Sequence, residues 1–409
     1  MLDIKFIRDN LDIVKAGAQK KHVKVDLDRL LEIDEARRKL SGEVDELNRQ
    51  KKEAADARDI EKGKQIKVDL QEKEKDLEKL THEWQLLMVQ VPNVPDVSVP
   101  DGDSDAHNQE IRTWGELPSF SFAPKNHIEL MDKLNMVDFE RGTKVAGFRG
   151  YFLKGMGVTL SFALWQYAQK FFSGKDFTPL MVPSLVKRVN FLGTGYIPQG
   201  EEDLYKTQDG DYLAGTAEVA TMGYHMNDVL DAKDFPIKYF SFSPCFRREA
   251  GSHGKDTKGL VRVPEFFKWE QVILCEASHE ESVRLHEELT KNAEEFLQSL
   301  ELPYHVVVNC GGDLGLGQVK KYDIETWVPS EKKYRETHSS SYFHDFQTRR
   351  LNIRYRDSEG KSRFAHSLNN TFVATPRILV PLIENNQQED GSIRIPKVLQ
   401  EYVGGDIIR

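Results

Sequence analysis

The 409-residue sequence predicts an α+β fold, in which a large antiparallel sheet is flanked by helices and preceded by an N-terminal antiparallel coiled-coil hairpin. Three observations predict it. Apolar residues beyond Asp26 recur at alternating spacings of three and four, the mark of a heptad seam. Farther along, β-rich runs such as IKYFSFSPCF, FFKWEQVIL and YHVVV occur without a regular alternation of strand and helix, which favours an antiparallel over a doubly wound parallel sheet. The chain also exceeds the size at which one hydrophobic core usually stops growing, so two or three domains are expected.

The hairpin is read from Leu30, Ile33, Leu40, Val44 and Leu47 in one segment and Leu70, Leu77, Leu80, Trp84, Leu87 and Val91 in a second. Between them RQKKEAADARDIEKGKQIK loses the large apolar residues, and Gly63 offers a turn. Arms of roughly 30 residues would reach about 45 Å. Their tip is locally basic, with Arg49, Lys51, Lys52, Arg58, Lys62, Lys64 and Lys67 outnumbering four acidic residues. Such a tip is either a solvated helix end or a surface that grips phosphates, and composition leaves both open.

The stretch PNVPDVSVPDGDSDAHNQE is rich in Pro, Asp and Gly and shows neither period, so it reads as a linker. Boundaries at 1–100 and 101–409 follow. In the second domain VTLSFALWQYAQKFF and EESVRLHEELTKNAEEFLQSL carry helical patterns. With 39% hydrophobic and 30% charged residues the chain is globular, and a net charge of −9 argues against nucleic-acid binding except through local patches. Three widely spaced cysteines (Cys245, Cys275, Cys310) make a disulfide framework or cysteine zinc site unexpected. No apolar run reaches the roughly 20 residues of a membrane span, and MLDIKFIRDN is unlike a signal peptide, so a cytoplasmic location is expected.

Four stretches are chemically loaded. PCFRREAGSHGKDTKGLVRVPEFFKWEQ reads as two strands joined by a mobile basic loop; Arg247 suits a phosphate through its planar fork, and Phe266 could stack on a base. LAGTAEVA sets Thr216 and Glu218 side by side. YRETHSSSYFHDFQTRRLNIRYR places Glu336 three residues before Ser339, both oxygen donors for a hard cation such as Mg²⁺. SLNNTFVATPRILVPLIENNQ holds Thr371 in a polar turn and Arg377 at the opening of a helix. Taken singly, each is also explained by a surface loop or a buried polar network.

Together these stretches resemble the seryl-tRNA synthetases of bacterial type along essentially the whole chain. GKDFTPLMVPSLV, with Pro183, resembles the first class II synthetase motif; FRREAGSHGKDTKGLVR with FKWE resembles the second, and NNTFVATPRILVPLIEN the third. TAE and RETHSSS are similar to the family's serine and ATP signatures, and DFQTRRLNIRYR to their usual continuation. The resemblance implies a homodimer with a class II antiparallel sheet, ATP and L-serine as substrates, Mg²⁺ as cofactor, and a hairpin that embraces tRNA(Ser), with tRNA(Sec) as an alternative acceptor.

By the same resemblance Thr216, Ala217, Glu218, Glu270 and Thr371 fall in the serine site. Arg247, Arg248, Glu249, Val263, Phe266, Glu336, Thr337, His338, Ser339 and Arg377 fall on ATP-binding segments. Glu336 and Ser339 match Mg²⁺ ligands, and Arg247, Glu336 and Arg377 carry the chemistry. Arg49, Lys51, Lys52, Lys62 and Lys64 are the implied tRNA contacts. The sequence departs from the family pattern at AGTAE for IPTAE, at Pro264-Glu265-Phe266 for HQF, at Ser341 for a frequent Cys, and in an NNTFVATPR third motif. The implied reaction is in-line attack of the serine carboxylate on the α-phosphate, which needs positioning and charge neutralisation rather than a covalent nucleophile.

Overall fold

The computed structural model describes residues 1–251, 254 and 256–409, which divide into two compact units, Met1–Val94 and Pro95–Arg409. The first unit is helical. Helices α1 (Ile4–Asp9) and α2 (Leu11–Lys20) precede the long pair α3 (Leu27–Asp56) and α4 (Ile60–Met88). The long helices start at capping aspartates: Asp26 accepts from the Arg29 amide and Asp59 from the Lys62 amide. Val44, Ala54, Ile66 and Leu70 are buried along the shared seam, and Lys73–Glu43 and Arg29–Glu83 bridge the two helices. At the base the fully buried Asp34 is surrounded by Arg8, Arg37 and Arg38, which supply the donors that a buried carboxylate needs.

The turn does not fall at Gly63. It occupies residues 57–59, where Arg58 adopts a positive φ of 55°, and the Gly63 amide is already bonded to the Asp59 carbonyl inside α4. Small Ala54 and Ile66 carry the seam to the tip, and the Asp59 cap fixes the start of the return helix, so no glycine is required.

The second unit is built on an eight-stranded sheet. In chain order its strands are β1 (Gln109–Trp114), β2 (Thr178–Met181), β3 (Ile237–Phe246), β4 (Glu265–Cys275), β5 (Tyr304–Val308), β6 (Lys320–Val328), β7 (Lys333–His344) and β8 (His366–Thr375). The spatial order is β1-β5-β6-β7-β8-β4-β3-β2, antiparallel except for the β2–β3 pair at one edge. Helices α5 (Met156–Phe172) and α8 (His279–Ser299) pack on one face, around a core that includes Phe172, Phe240, Trp269, Phe296 and Phe372. Helix α8 is started by Ser278, which accepts from the Glu281 amide at 3.2 Å. The short helices α6 (Arg188–Thr194), α7 (Ala217–Gly223), α9 (Phe346–Leu351) and α10 (Leu379–Asn385) complete the elements that frame the site.

Two differences from the sequence expectation concern the linker region. Residues 96–104 are tied down rather than free: the Asp96 amide bonds to the Val319 carbonyl, Tyr342 donates to Asp96, and the Gly311 and Gly312 amides bond to the Pro100 and Gly102 carbonyls. The sheet also begins inside the linker stretch, because QEIRTW, whose first two residues end that stretch, pairs as edge strand β1 with β5. Its outward side chains are exposed, so it lacks the apolar alternation by which a strand is read from sequence.

Candidate active site

The cleft opens on the sheet face opposite α5 and α8, and strand geometry decides which side chains enter it. On β4 the period of two sends Phe266, Lys268 and Glu270 to the cleft, while Trp269 stacks in the core on Phe240 at 4.3 Å. The neighbouring strands break that period. On β7 an extra residue, Thr337, bulges against β6, so Glu336 and Ser339, three apart, both line the cleft. On β8 the extra residue is Phe372, and Thr371 and Ala374 share the cleft face while Phe372 and Val373 enter the core. A regular strand would send residues three apart to opposite faces.

Two adjoining hollows share Arg247, Lys268 and Thr371. The wider one, about 380 Å³, is lined among others by Tyr196, Glu218, Glu270, Ser339 and Asn369. Here Thr216 caps α7, accepting from the Glu218 amide at 3.3 Å, and donates to Glu270 Oε2. Lys268, 4% exposed at its side chain, lies 2.7 Å from the same oxygen and donates to Thr216 at 2.8 Å and Thr371 at 3.4 Å. The Glu218 amide also reaches Glu270 Oε2 at 3.3 Å. Among the described residues, the hydrogen bonds and the ion pair of this carboxylate therefore fall on one oxygen.

Glu218 is the second acid of this hollow. Burial, and then the nearby charge of Glu270, push its carboxyl up to about 7, against the donors Gln347 Nε2 at 2.6 Å and Tyr196 OH at 3.0 Å. Tyr196 stays protonated, since burial and Glu218 raise its pKa well above the usual value. Gly195, at φ +92°, ends α6 in the left-handed conformation and turns the chain into this wall.

The other hollow is lined by Glu249, Val263, Phe266, Glu336, Thr337 and Arg377 together with the shared residues. The Arg247 guanidinium lies over the Phe266 ring at 5.2 Å and donates to the Gly215 carbonyl. Arg262 pairs with Glu249 at 2.6 Å. Arg377 is anchored on the Val261 carbonyl at 2.9 Å and sits 3.5 Å from Glu336. Desolvation would raise the Glu336 carboxyl, but Arg377, Lys321 and Arg247 outweigh it and hold it below the ordinary value. Opposite Ser339 on β6, Asp323 is pushed up to about 6 by burial despite Lys321 at 3.3 Å.

Of the residues expected from sequence, Arg247, Glu249, Val263, Phe266, Glu218, Glu270, Thr371, Glu336, Thr337, Ser339 and Arg377 line the cleft, and Thr216 braces it from behind. Ala217 is buried in the first turn of α7, Arg248 is exposed away from the lining, and the His338 side chain is buried. Ser252, His253 and Lys255 of the expected basic loop lie outside the described residues. In the first unit Arg49, Lys51, Lys52, Lys62 and Lys64 are exposed; Arg49 pairs with Glu46 and Glu53, and Lys64 with Glu61.

The sequence reading missed Lys268, Gln347, Tyr196 and Asn369. Lys268 had a signal, because it stands between Phe266 and Glu270 on one face of a strand. Gln347 and Tyr196 had none: they reach Glu218 only through the packing of α9 and α6 around α7.

The antiparallel sheet and its cleft of paired acids, a buried lysine and separated arginines lie in a class II aminoacyl-tRNA synthetase core: residues 205–386 match the tRNA synthetase class II core domain (G, H, P, S and T). Prolyl-tRNA synthetase of Giardia lamblia, 17% identical over 66% of this chain and 53% of its own with a TM-score of 0.59, shares the fold alone. Residues 1–95 match the seryl-tRNA synthetase N-terminal domain. A serine–tRNA ligase of Deinococcus radiodurans is 45% identical over 99% of this chain and 98% of its own, and one of Thermodesulfovibrio yellowstonii 41% identical over the full length of both. The seryl-tRNA synthetase of Pyrococcus horikoshii, solved with ATP, superposes with a TM-score of 0.92 at 38% identity, covering 100% of this chain and 99% of that one. This chain belongs to the seryl-tRNA synthetase family.

Proposed function

We propose that the chain activates L-serine with ATP to seryl-adenylate and transfers the seryl group to the 3′ end of tRNA(Ser). The observation that carries this reading is the pair of hollows joined at Arg247, Lys268 and Thr371. One has an aromatic platform and arginines for a nucleotide, the other paired acids for a small cationic substrate, and a carboxylate and an α-phosphate would meet at the shared residues. ATP is the substrate held in the seryl-tRNA synthetase of Pyrococcus horikoshii.

In this reading adenine stacks on Phe266, and Arg247 moves from that ring to the α-phosphate, where a planar bidentate donor stabilises charge developing in the transition state. Arg377 neutralises the leaving pyrophosphate. Glu270, with one oxygen already taken, offers the other to the serine hydroxyl together with Thr371, and Glu218 receives the ammonium group. Amino-acid-dependent pyrophosphate exchange tests the assignment: serine alone of the common amino acids should support it, and exchange with another amino acid and not serine would sink it.

The residues also fit a magnesium ion. The bulge at Thr337 turns Glu336 and Ser339 to the same cleft, and the carboxyl is held in its anionic range. Among the described residues no group of three or more His, Cys, Asp or Glu is gathered to hold a metal, so a bound Mg²⁺ would draw its remaining oxygens from nucleotide and water, as this ion commonly does. It would offset phosphate charge during pyrophosphate loss.

We assign the helical pair to tRNA(Ser), through the basic tip. Lys51, Lys52 and Lys62 carry no ion-pair partner among the described residues, which suits phosphate contact. A homodimer is supported by the open outer edge of strand β2 and by exposed apolar residues, with Met181 84% and Phe162 51% exposed. Sedimentation of a Phe162→Glu, Met181→Lys variant should give monomers, and an unchanged dimer would place the interface elsewhere. No described helix is long and apolar enough to cross a membrane, and a cytoplasmic location suits a tRNA partner.

A further inference from the structure

We propose that Gln347 is a positioning residue for substrate capture, holding the Glu218 carboxylate turned toward the serine ammonium group. The inference rests on the serine reading above. Gln347 comes from the DFQTRR stretch, has no place in the cleft lining, and is 1% exposed. Its amide orientation is fixed by its neighbours. The Thr194 carbonyl, 3.2 Å from Nε2, can only accept, and Ser367 donates to Oε1 at 2.7 Å. The amide therefore presents N–H, and not oxygen, to Glu218 Oε1 at 2.6 Å.

A contact that can only donate favours the carboxylate over the neutral acid. Tyr196 does the same for the other oxygen at 3.0 Å. These two donors work against burial and against Glu270, which drive the carboxyl up to about 7, close to working pH. The groups facing Glu218 from the surrounding elements are few. From β4 come Glu270, which opposes its charge, and Lys268, which supports it. On α9, Arg349 is engaged with Asp345 and Arg350 with the Leu192 carbonyl. On α6, Arg188 is turned to Glu201, and β3 meets α7 through Ser241 and Thr221. Gln347 is the side chain of α9 that donates to this carboxylate, and losing its donor should tip Glu218 toward the neutral acid, which cannot pair with an ammonium ion.

Serine-dependent pyrophosphate exchange as a function of pH tests the proposal with Gln347→Met, which keeps the length and removes the donor. A hydrogen bond to a charged group is strong enough that KM for serine should rise about tenfold or more near pH 7, with kcat at saturating serine and KM for ATP held within about twofold. The pH at which kcat/KM for serine falls off should move up by about one unit, because more alkaline conditions are needed to ionise Glu218. Tyr196→Phe removes the donor on the opposite oxygen without touching α9 and should move the same break in the same direction. A break at the wild-type pH in both variants, or an equal loss in kcat and in KM for ATP, would reduce Gln347 to a packing role and overturn the proposal. Failure of the serine reading itself would show separately, as wild-type enzyme without serine-dependent exchange.

Discussion

Replacing Glu270 by alanine should abolish the distinction between serine and alanine more thoroughly than it damages the fold. Three donors, from Thr216, Lys268 and the Glu218 amide, converge on its Oε2, and Lys268 has no other ion-pair partner among the described residues. Removing one member of a buried pair costs about 3–5 kcal/mol. The serine hydroxyl loses a hydrogen bond to a charged group, worth about 1.5–3 kcal/mol, which at about 1.4 kcal/mol per tenfold lowers kcat/KM for serine by roughly 10–10²-fold. Alanine fits any pocket that fits serine, so the intact site must reject it by leaving polar groups unpaired, which can give about 10⁴-fold selection. The variant has no acceptor left to disappoint, and its serine-to-alanine ratio should fall to within about tenfold of unity. Pyrophosphate exchange with both amino acids reads the ratio, and Glu270→Gln, which keeps the volume, separates lost charge from lost packing. A ratio that survives while activity falls would show that the hydroxyl is read elsewhere.

Replacing residues 35–85 with a short linker should leave serine-dependent exchange intact and eliminate tRNA charging, since every residue of the cleft belongs to the second unit; normal charging would refute the assignment of the arm. Neutralising Lys51, Lys52, Lys62 and Lys64 should weaken tRNA binding and lower its salt slope by up to about 3–4, as fewer counterions are released, whereas an unchanged slope would mean a merely solvated tip. Acid should destabilise the fold before the carboxylates titrate. His286, His338, His344 and His366 are lowered to about 4 by burial, so the unfolded chain, with histidines near 6.5, takes up protons first, and stability is lost as pH falls from about 6.5 to 4 at up to about 1.4 kcal/mol per unit for each group. Glu218 and Asp323, raised to about 7 and 6, oppose this over much of the same window but are outnumbered; a Tm that rises from pH 6.5 to 4.5 would contradict the account.

Much of the molecule is legible in the sequence because its signals are periodic or local. The seam of the long helices survives in the spacing of Leu30, Ile33 and Leu70, and strands β3 and β4 stand out as apolar runs on either side of a Gly- and Lys-rich loop. Resemblance then gathers distant residues such as Glu218, Glu270 and Arg377. What escapes is set by tertiary packing. The turn at residues 57–59 depends on an aspartate cap rather than on Gly63. Edge strand β1 has no apolar alternation to betray it. Gln347 and Tyr196 approach Glu218 from segments distant in sequence, and only their packing around the buried carboxylate makes their contacts matter.

The two bulges beside the cleft are the places where strands β7 and β8 each absorb one residue more than their partners. Each acts like a frame shift written into a strand: upstream and downstream of Thr337 or Phe372 the inward and outward registers are exchanged. Deleting either residue would restore an ordinary alternation and leave Glu336 and Ser339, or Thr371 and Ala374, two apart and still on the cleft face. A substitution at Thr337 that keeps its volume leaves that frame untouched. Single-residue losses in these strands should therefore fall at the bulges rather than in the regular stretches on either side, where they would exchange the faces of the side chains beyond.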